Sequence, residues 1–149
     1  MFPEDKEKFD VEIWTDGACV FNGRPNARAA WGFVSGKTEK SGLVNSEKQT
    51  NNVAEGLAIF YALDWAVQNN YKKIKIYTDS QISIYNVKKP AHRVLKNRQI
   101  FQDIEDLIAK NNLQVSYEKV LGHSDDVNNS RADKLANGLV ANGAGVVDK

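Results

Sequence analysis

Residues 73–81 read Lys-Ile-Lys-Ile-Tyr-Thr-Asp-Ser-Gln, and this stretch decides the fold class. Ile74 and Ile76 recur at a spacing of two, which predicts a short strand over residues 73–78 with one apolar face. Asp79 follows that strand directly, and the next residues predict a short helix over 80–87. A strand that leads into a helix through a polar turn is typical of α/β sheets, which bind ligands at the carboxyl ends of their strands.

The segments before this stretch predict three strands and one long helix. Strands are expected at residues 11–16, 29–35 and 38–45, with a loop over 21–28 and a turn at 36–37. Their short connections favour an antiparallel meander. Apolar residues then recur at helical spacing over 53–68, with Thr50 or Asn51 as the N-cap.

The segments after this stretch complete the sheet and its helices. A helix is predicted over 94–110, a strand over 113–121, a polar loop over 122–129 and a helix over 130–141, with a frayed tail from Gly143. The order βββαβααβα predicts an α/β fold with a five-stranded mixed sheet, three antiparallel strands followed by two parallel ones, flanked by helices. We expect a single domain over 1–149, with its core at about 11–141 and flexible ends at 1–10 and 142–149.

The charge balance argues against a strongly basic nucleic-acid-binding chain. Lys and Arg total 20 against 19 for Asp and Glu, giving a formal net charge of +1, so a local patch must hold any polyanion. The single cysteine, Cys19, excludes an internal disulfide and fits a reducing compartment. No apolar run of about 18 residues exists, and residues 1–10 lack the apolar core of a signal peptide. We therefore expect a protein of the cytoplasm, or of the nucleus, without a membrane span.

Four acidic residues lie at the edges of apolar segments: Asp16, Glu55, Asp79 and Asp133. Asp16 lies late in the first strand, Glu55 and Asp133 lie early in helices, and Asp79 follows a strand. Strand ends and helix starts can converge at one sheet edge, where carboxylates repel one another unless a cation lies between them. Two divalent metals on a carboxylate cluster are typical of phosphoryl chemistry. Any one of these acids alone could instead be a turn former, a helix cap or half of an ion pair.

Four motifs resemble those of type 1 ribonuclease H. They are Thr15-Asp16-Gly17-Ala18, QTNNVAE over 49–55, Tyr77-Thr78-Asp79-Ser80-Gln81, and Gly122-His123 followed by NSRAD over 129–133. They occur in the family's order with near-family spacing, over about residues 11–141. The resemblance implies the ribonuclease H-like fold. It also implies endonucleolytic cleavage of the RNA strand of an RNA–DNA hybrid, which leaves 5′-phosphate and 3′-hydroxyl ends.

The resemblance implies a role for each acid and for one histidine. Asp16 is expected to bridge two Mg²⁺ ions, for which Mn²⁺ is a possible substitute. Asp133 is expected to help hold the ion that activates water, and Glu55 and Asp79 the ion on the leaving-group side. His123, before the last helix, is expected to assist proton transfer or product release; the alternative is a solvated loop histidine.

A second group of polar residues resembles the family's substrate contacts. Asn22 and Gly23 are expected near the RNA backbone, and Asn51, Asn52 and Gln81 in the minor groove. Lys48, Thr50 and Asn97 resemble a pocket for a phosphate of the DNA strand. Hydroxyl and amide groups suit this role because they bond phosphate and sugar without reading sequence. Asn51 and Asn52 have the alternative of only starting the helix.

Two features depart from the family pattern. Cellular members often insert an extra helix and a basic, Trp-containing protrusion, whereas this chain has only KKPAHR at 88–93. We therefore expect weak hybrid binding, as in a form that works beside a polymerase or another hybrid-binding module. The basic stretch 88–98 is either a solvated face or a nucleic-acid contact. Asp125 and Asp126 either draw in a metal or repel phosphate.

Two rival functions stay open on the sequence alone. One is a non-catalytic module of the same fold that binds hybrid or a protein; the presence of all four acids argues against it. The other is a different nuclease on this fold, such as a DNA exonuclease or a resolvase. The Gly122-His123 loop and the segment 49–52 favour the hybrid-specific form. We expect a monomer.

Overall fold

The computed structural model describes residues 8–121 and 127–147, with side chains described as far as Ala141. These residues form a mixed five-stranded sheet of order β3-β2-β1-β4-β5. The strands are β1 Val11–Val20, β2 Arg28–Ser35, β3 Thr38–Leu43, β4 Lys73–Thr78 and β5 Gln114–Lys119. The helices are α1 Asn51–Gln68, α2 Gln81–Val87, α3 Arg98–Asn111 and α4 Val127–Val147, with a single 3₁₀ turn at Ala91–Arg93. The predicted α/β class and the order of strands and main helices are confirmed.

Strand β1 lies at the centre and joins the two halves of the sheet. It pairs antiparallel with β2, which pairs antiparallel with β3. It pairs parallel with β4, which pairs parallel with β5. The short connections of the first half permit hairpins, whereas each parallel step requires a crossover that contains a helix. The predicted arrangement of three antiparallel and then two parallel strands is therefore confirmed.

Two glycines show that α1 and α4 cover opposite faces of the sheet. A Cβ at Gly17 in β1 would lie 2.5 Å from the backbone nitrogen of Glu55 in α1. A Cβ at Gly32 in β2 would lie 3.1 Å from the carbonyl oxygen of Ala132 in α4. Gly32 pairs with Asp16, the neighbour of Gly17. Because successive residues of a strand point to opposite faces and paired residues share one, α1 and α4 pack on opposite sides.

The main core lies between the sheet and the helices α1 and α3. Its largest fully buried side chains include Phe33 of β2, Ile59 and Leu63 of α1, and Ile74 and Ile76 of β4. On the other face, a smaller cluster packs Ala18 and Ala30 against Ala136 and Val140 of α4. Small residues on that face let α4 approach the sheet closely, which matters for the site because α4 carries Asp133.

Several predicted boundaries are wrong by a few residues, each for a local reason. Strand β1 runs past Gly17 to Val20 because it stays paired with β2. Strand β3 ends at Leu43 and strand β5 spans only Gln114–Lys119, so both are shorter than predicted. Helix α3 begins at Arg98 rather than Val94, because Asn97 adopts the left-handed conformation with φ 59°.

The last helix is longer than predicted at both ends. It begins at Val127 rather than Ser130, and it runs to Val147 rather than ending at Ala141. The predicted fraying from Gly143 is therefore wrong as far as Val147. Each glycine in this segment costs only about 1 kcal/mol of helix propensity, and extending an existing helix is much easier than nucleating one.

The helices of the described residues are too short or too polar to cross a membrane.

Candidate active site

Parallel pairing of β1 with β4 brings two of the four acids to the same level of the sheet. Trp14 is paired with Tyr77 at the end of the parallel ladder. Two residues further along the same register, Asp16 faces Asp79. Asp79 sits between the end of β4 and Ser80, whose hydroxyl caps α2 by accepting from the backbone N–H of Ser83 at 3.1 Å. The strand register and the helix cap together fix both carboxyls at one edge.

Helix α1 supplies the third acid through its close approach to β1. Thr50 is the N-cap, and its hydroxyl accepts from the backbone N–H of Val53 at 3.1 Å. Of the two predicted N-caps, Thr50 and Asn51, the first is therefore confirmed. Glu55 follows in the second turn. The missing side chain at Gly17 lets the backbone of α1 lie against β1, since a Cβ there would come within 2.8 Å of Ala54 and Glu55 atoms. Glu55 therefore reaches the same edge as Asp16.

The three carboxyls form a tight and mostly buried cluster. Asp16, Glu55 and Asp79 each offer an oxygen such that all three oxygens lie within 4.8 Å of one another. Asp16 is 3% exposed and Glu55 is 5% exposed, whereas Asp79 is partly exposed. The cluster lines a cleft of about 180 Å³ with Asp133, Asn51 and other polar residues. The cleft gives this buried negative charge one open side.

Without a cation, burial and mutual repulsion raise the pKa values of the carboxyls in this cluster. Burial, followed by the charge of Asp79 and contact with Asp133, raises the pKa of Asp16 to about 8. The backbone N–H of Gly17, which donates to Asp16 Oδ1 at 2.9 Å, offsets this only in part. Burial, followed by the charges of Asp16 and Asp79, raises the pKa of Glu55 well above its ordinary value.

These residues fit a divalent metal site. Glu55 Oε1 is buried and has no hydrogen-bond partner among the described residues, which is costly unless a cation binds it. Oxygen atoms of carboxylates are the ligands that Mg²⁺ prefers, together with water and phosphate. A cation would also remove the repulsion that raises the pKa values of Asp16 and Glu55. The acidic triad is consistent with divalent metal binding.

Asp133 lies beside the triad rather than within it. It lines the same cleft and contacts Asp16 closely enough to raise the pKa of that residue. It is exposed, and its carboxyl accepts from Asn137 Nδ2 at 2.9 Å, one turn further along α4. The prediction that it lies in the first turn of the last helix is wrong, because the helix starts at Val127 and places it in the second turn.

The neighbouring arginine does not neutralise Asp133. Arg131 Nη2 pairs with Glu39 Oε2 of β3 at 2.9 Å, and Arg131 Nη1 donates to Asn128 Oδ1 at 3.0 Å. Arg131 therefore ties α4 to the edge strand. The alternative that Asp133 is half of an ion pair, with Arg131 or Lys134 beside it in the sequence, is therefore wrong for Arg131, and among the described residues Asp133 is in no ion pair.

Three residues named from the sequence lie outside the described residues. They are His123, Asp125 and Asp126. The role expected for His123, and the two alternatives for the acidic pair, therefore stay predictions.

The predicted substrate residues come together in one cleft, with a single exception. A cleft of about 590 Å³ next to the acid cluster is lined by Asn22, Gly23, Lys48, Thr50, Asn51, Asn52 and Asn97, together with Leu95 and Lys96. Asn51 lines both this cleft and that of the acids, so the two clefts adjoin at this residue. Gln81 does not line either cleft; it is exposed at the first position of α2, two residues after Asp79.

Sequence reasoning missed the residue that shapes this cleft, Gln49. Its Nε2 donates to the carbonyl oxygens of Val44 and Ser46 at 2.8 and 2.7 Å, and its Oε1 accepts from the backbone N–H of Ala29 at 2.8 Å. Two of these bonds hold the connection between β3 and α1 in shape, and the bond from Ala29 ties it to β2. Gln49 is the first residue of the motif over 49–55, but no local pattern indicates that its amide bonds within the protein.

A second bond fastens the loop between β1 and β2. Asn22 Oδ1 accepts from the backbone N–H of Asn51 at 3.2 Å, which links this loop to the first residue of α1. Gly23 has φ +84°, a conformation that favours glycine. The side chain of Asn22 therefore fixes the loop against α1, and Gly23 allows the left-handed backbone conformation that the loop requires.

The fold and site define a class: a carboxylate cluster at the edge of a mixed α/β sheet, suited to metal-assisted phosphoryl chemistry. Comparison with known proteins makes this specific. The family model described as RNase H matches residues 8–140. A ribonuclease H of Clostridium botulinum is 33% identical over 142 residues, covering 85% of this chain and 93% of that protein. The chain belongs to the ribonuclease H family.

Solved structures agree with this assignment. RNase H1 of the halophilic archaeon Halobacterium salinarum has a TM-score of 0.68 at 26% identity, covering 89% of this chain and 98% of that one. LC11-RNase H1, solved in complex with an RNA/DNA hybrid, has a TM-score of 0.69 at 22% identity, covering 87% of this chain and 95% of that one. At that identity the second similarity supports the fold alone.

Proposed function

We infer that this chain is a ribonuclease H, a metal-dependent endoribonuclease that cleaves the RNA strand of RNA–DNA hybrids. The observation that carries this function is the cluster of Asp16, Glu55 and Asp79, whose oxygens lie within 4.8 Å of one another in a chain of this family. A module that only binds hybrid has no use for a buried cluster whose charges repel, since that cluster costs stability.

The four acids divide into positions that can hold two divalent ions. Asp16 has both Asp79 and Asp133 close to its carboxyl in the same cleft, so it could share two ions with them. Glu55 and Asp79 would complete the position on one side, and Asp133 the position on the other. Two bound ions, Mg²⁺ or its substitute Mn²⁺, supply positive charge for the phosphate oxygens and lower the pKa of water.

The side chains of the two clefts would position the RNA strand and limit the directions from which its phosphate can approach the acids. Asn51 lies where the two clefts meet, so it can bond to the sugar or base edge next to the scissile phosphate. The burial of Glu55 and Asp16 fixes their oxygens and leaves the reacting phosphate only one open side. Hydrolysis would place the oxygen of water on phosphorus and release the ribose 3′ oxygen, leaving 5′-phosphate and 3′-hydroxyl ends.

Recognition of the hybrid is proposed to be shared between the two strands. Asn22, Gly23, Asn51 and Asn52 would contact the RNA strand and the minor groove, where the 2′-hydroxyl marks RNA. Lys48, Thr50 and Asn97 would hold a phosphate of the DNA strand. Thr50 accepts from Val53 with its oxygen, so its hydroxyl hydrogen stays available to donate to a phosphate.

Two further roles are proposed from the sequence pattern. Gln81 would contact the minor groove from the start of α2, close to Asp79. His123 would assist proton transfer or product release. His123→Ala should slow turnover without abolishing it in steady-state assays, and an unchanged rate would return His123 to a solvated loop residue.

We also propose that the chain acts as a monomer in the cytoplasm or nucleus, alone or beside a polymerase or another hybrid-binding module. The single free cysteine supports a reducing compartment. Light scattering coupled to size exclusion tests the monomer directly, and a stable dimer at assay concentration contradicts it.

The deciding experiment is cleavage of an RNA–DNA hybrid labelled on the RNA strand, with Mg²⁺. We expect cuts only in RNA, 5′-phosphate ends, and no cutting in EDTA or of duplex RNA and duplex DNA. Asp16→Asn should lower turnover by about 100-fold or more while hybrid binding persists. A protein that binds hybrid but never cuts it would be a binding module, and cutting of duplex DNA would indicate a different nuclease.

A further inference from the structure

The charge of the segment after Asp79 is concentrated and unbalanced. Residues 80–102 hold five Lys or Arg side chains and no Asp or Glu, in a chain whose total charge is +1. On the sequence alone, its basic part over 88–98 was either a solvated face or a nucleic-acid contact. The structure separates its members, because Lys96 and Arg98 line clefts whereas Lys89 packs over the ring of Tyr85 at 4.2 Å.

Arg98 borders a second cleft, distinct from the one that holds the predicted phosphate residues. This cleft has a volume of about 360 Å³ and lies between the starts of α1 and α3. Its lining combines two cations with polar and apolar residues: Ser46, Lys48, Val53, Leu95, Asn97, Arg98, Gln99 and Ile100. Lys48, Leu95 and Asn97 also line the 590 Å³ cleft, so these three residues form a ridge between the two clefts.

The two cations of this second cleft are not neutralised by the protein. Among the described residues neither Lys48 nor Arg98 is in an ion pair. The acid nearest along α3, Asp103, is bonded through Oδ1 to Gln99 Nε2 at 2.8 Å. Arg98 Nε donates to the carbonyl oxygen of Val94 at 2.9 Å, which anchors the guanidinium and leaves its terminal nitrogens for a ligand.

We propose that this second cleft binds the next phosphodiester of the DNA strand, with Arg98 as its main contact. The inference rests on the proposed function, because it extends the track that Lys48, Thr50 and Asn97 would begin. Arginine suits phosphate because its planar fork can bond two oxygens at once. Leu95, which is 86% exposed on the ridge, presents an apolar surface that a deoxyribose can cover and that a ribose 2′-hydroxyl would not favour.

The test is a set of hybrids whose DNA strand carries one uncharged methylphosphonate, moved along the strand one position at a time. For the unaltered protein we expect KM to rise at two adjacent positions. Arg98→Ala should raise KM for the normal hybrid by about three- to tenfold with kcat unchanged, and lower the salt slope by about one. In this variant, one of the two methylphosphonate positions should have no further effect. Lys110→Ala, at the other end of α3, is the matched control and should behave as the unaltered protein.

The variant Arg98→Lys tests whether Arg98 acts by contacting phosphate or through its bond to Val94. It keeps the cation but loses both the planar fork and the bond from Nε to Val94, so a direct phosphate role predicts a KM between those of the unaltered protein and Arg98→Ala. Equal KM increases in Arg98→Lys and Arg98→Ala would show that the residue acts only through Val94, and would overturn the inference. Cutting by the unaltered protein together with an unchanged KM in Arg98→Ala would also overturn it, while the proposed function would stand. No cutting by the unaltered protein would overturn both.

Discussion

At Asp16, the stability of the fold and the proposed metal binding place opposite demands on one side chain. It is buried at the meeting point of Glu55, Asp79 and Asp133, and its pKa of about 8 lies far above the ordinary value of 3.8. Keeping this group ionised without a cation costs free energy of folding. A cluster of neutral residues would avoid that cost, but it would lack the carboxylate oxygens that divalent cations prefer.

The raised pKa of Asp16 predicts how the metal-free protein responds to pH. Between about pH 4 and 8 the folded state binds a proton at Asp16 that the unfolded state has released. The stabilising contribution of this group is therefore complete below about pH 4 and is lost as the pH rises through 8. In EDTA, the free energy of unfolding of the unaltered protein should fall relative to that of Asp16→Asn over this range, by roughly 5 kcal/mol. Urea unfolding at several pH values measures it, and parallel profiles would contradict it.

Metal binding should cancel this penalty. At pH 8, adding Mg²⁺ should raise the thermal midpoint of the unaltered protein, because a ligand that binds only the folded state stabilises it. In Asp16→Asn the rise should be much smaller, since the shared ligand is lost. Differential scanning fluorimetry with Mg²⁺, Mn²⁺ and EDTA gives the comparison, and equal rises in both proteins would remove Asp16 from the metal site.

Gly17 lies so close to α1 that any side chain at this position would clash with the helix. A Cβ would lie 2.5 Å from the backbone nitrogen of Glu55, which cannot move without shifting α1. Gly17→Ala should therefore destabilise the protein by about 2 kcal/mol or more and lower activity by displacing Glu55. Gly138→Ala in α4 is the control, because nothing lies within 4 Å of its added Cβ, and it should be neutral or slightly stabilising. Equal stability of the two variants in urea would contradict the close-approach argument.

At the scale of elements, the connection between β3 and α1 depends on one amide. Gln49 bonds to Val44, Ser46 and Ala29, and thereby orients the residues that line the substrate cleft. Gln49→Ala should cost about 1–3 kcal/mol of stability, because it leaves backbone groups unpaired.

The same substitution should affect binding more than chemistry. KM for hybrid should rise because Lys48, Thr50 and Asn52 lose their fixed positions. The kcat should change little, because Asp16 in β1, Asp79 directly after β4 and Asp133 in α4 are positioned by other elements. Gln49→Glu keeps one acceptor but lacks the donors, so it should also raise KM. An unchanged KM in both variants would show that the connection holds its shape without Gln49.

Elements also explain which boundaries sequence reasoning could give. Asp79 was placed correctly after its strand, and Thr50 was one of the two N-caps predicted for α1, because caps and strand ends have local chemical signatures. The prediction that the next helix begins at Ser80 was wrong by one residue, and the alternative that Asp79 caps it was also wrong, because Ser80 is the cap. The start of α3 was missed because the left-handed turn at Asn97 follows from tertiary packing. The start of α4 was missed because its first residues are polar and lack apolar periodicity.

For the whole molecule, the near-neutral charge predicts how hybrids are held. With a net charge of +1 and cations gathered in residues 80–102, binding should rest on a few phosphate contacts rather than on a general positive field. We therefore expect weak binding that falls steeply with salt, with a slope of about −0.9 for each phosphate neutralised. Fluorescence anisotropy of Asp16→Asn with labelled hybrid at several salt concentrations measures this, and tight binding that persists at moderate salt would contradict it.

The sequence by itself determined the α/β class, the order of the strands and main helices, the four acids and most of the residues that line the cleft of about 590 Å³ beside them. These follow from local causes: periodicity, caps and turns, and four motifs that resemble one family. Only the tertiary structure decided that Asp16 faces Asp79, that Gly17 lets Glu55 reach them, and that Asp133 stands beside the triad. It also decided that Arg98 borders a second cleft while Gln81 borders neither. These depend on strand register and on distances of a few ångströms between segments far apart in the chain, which no local pattern encodes.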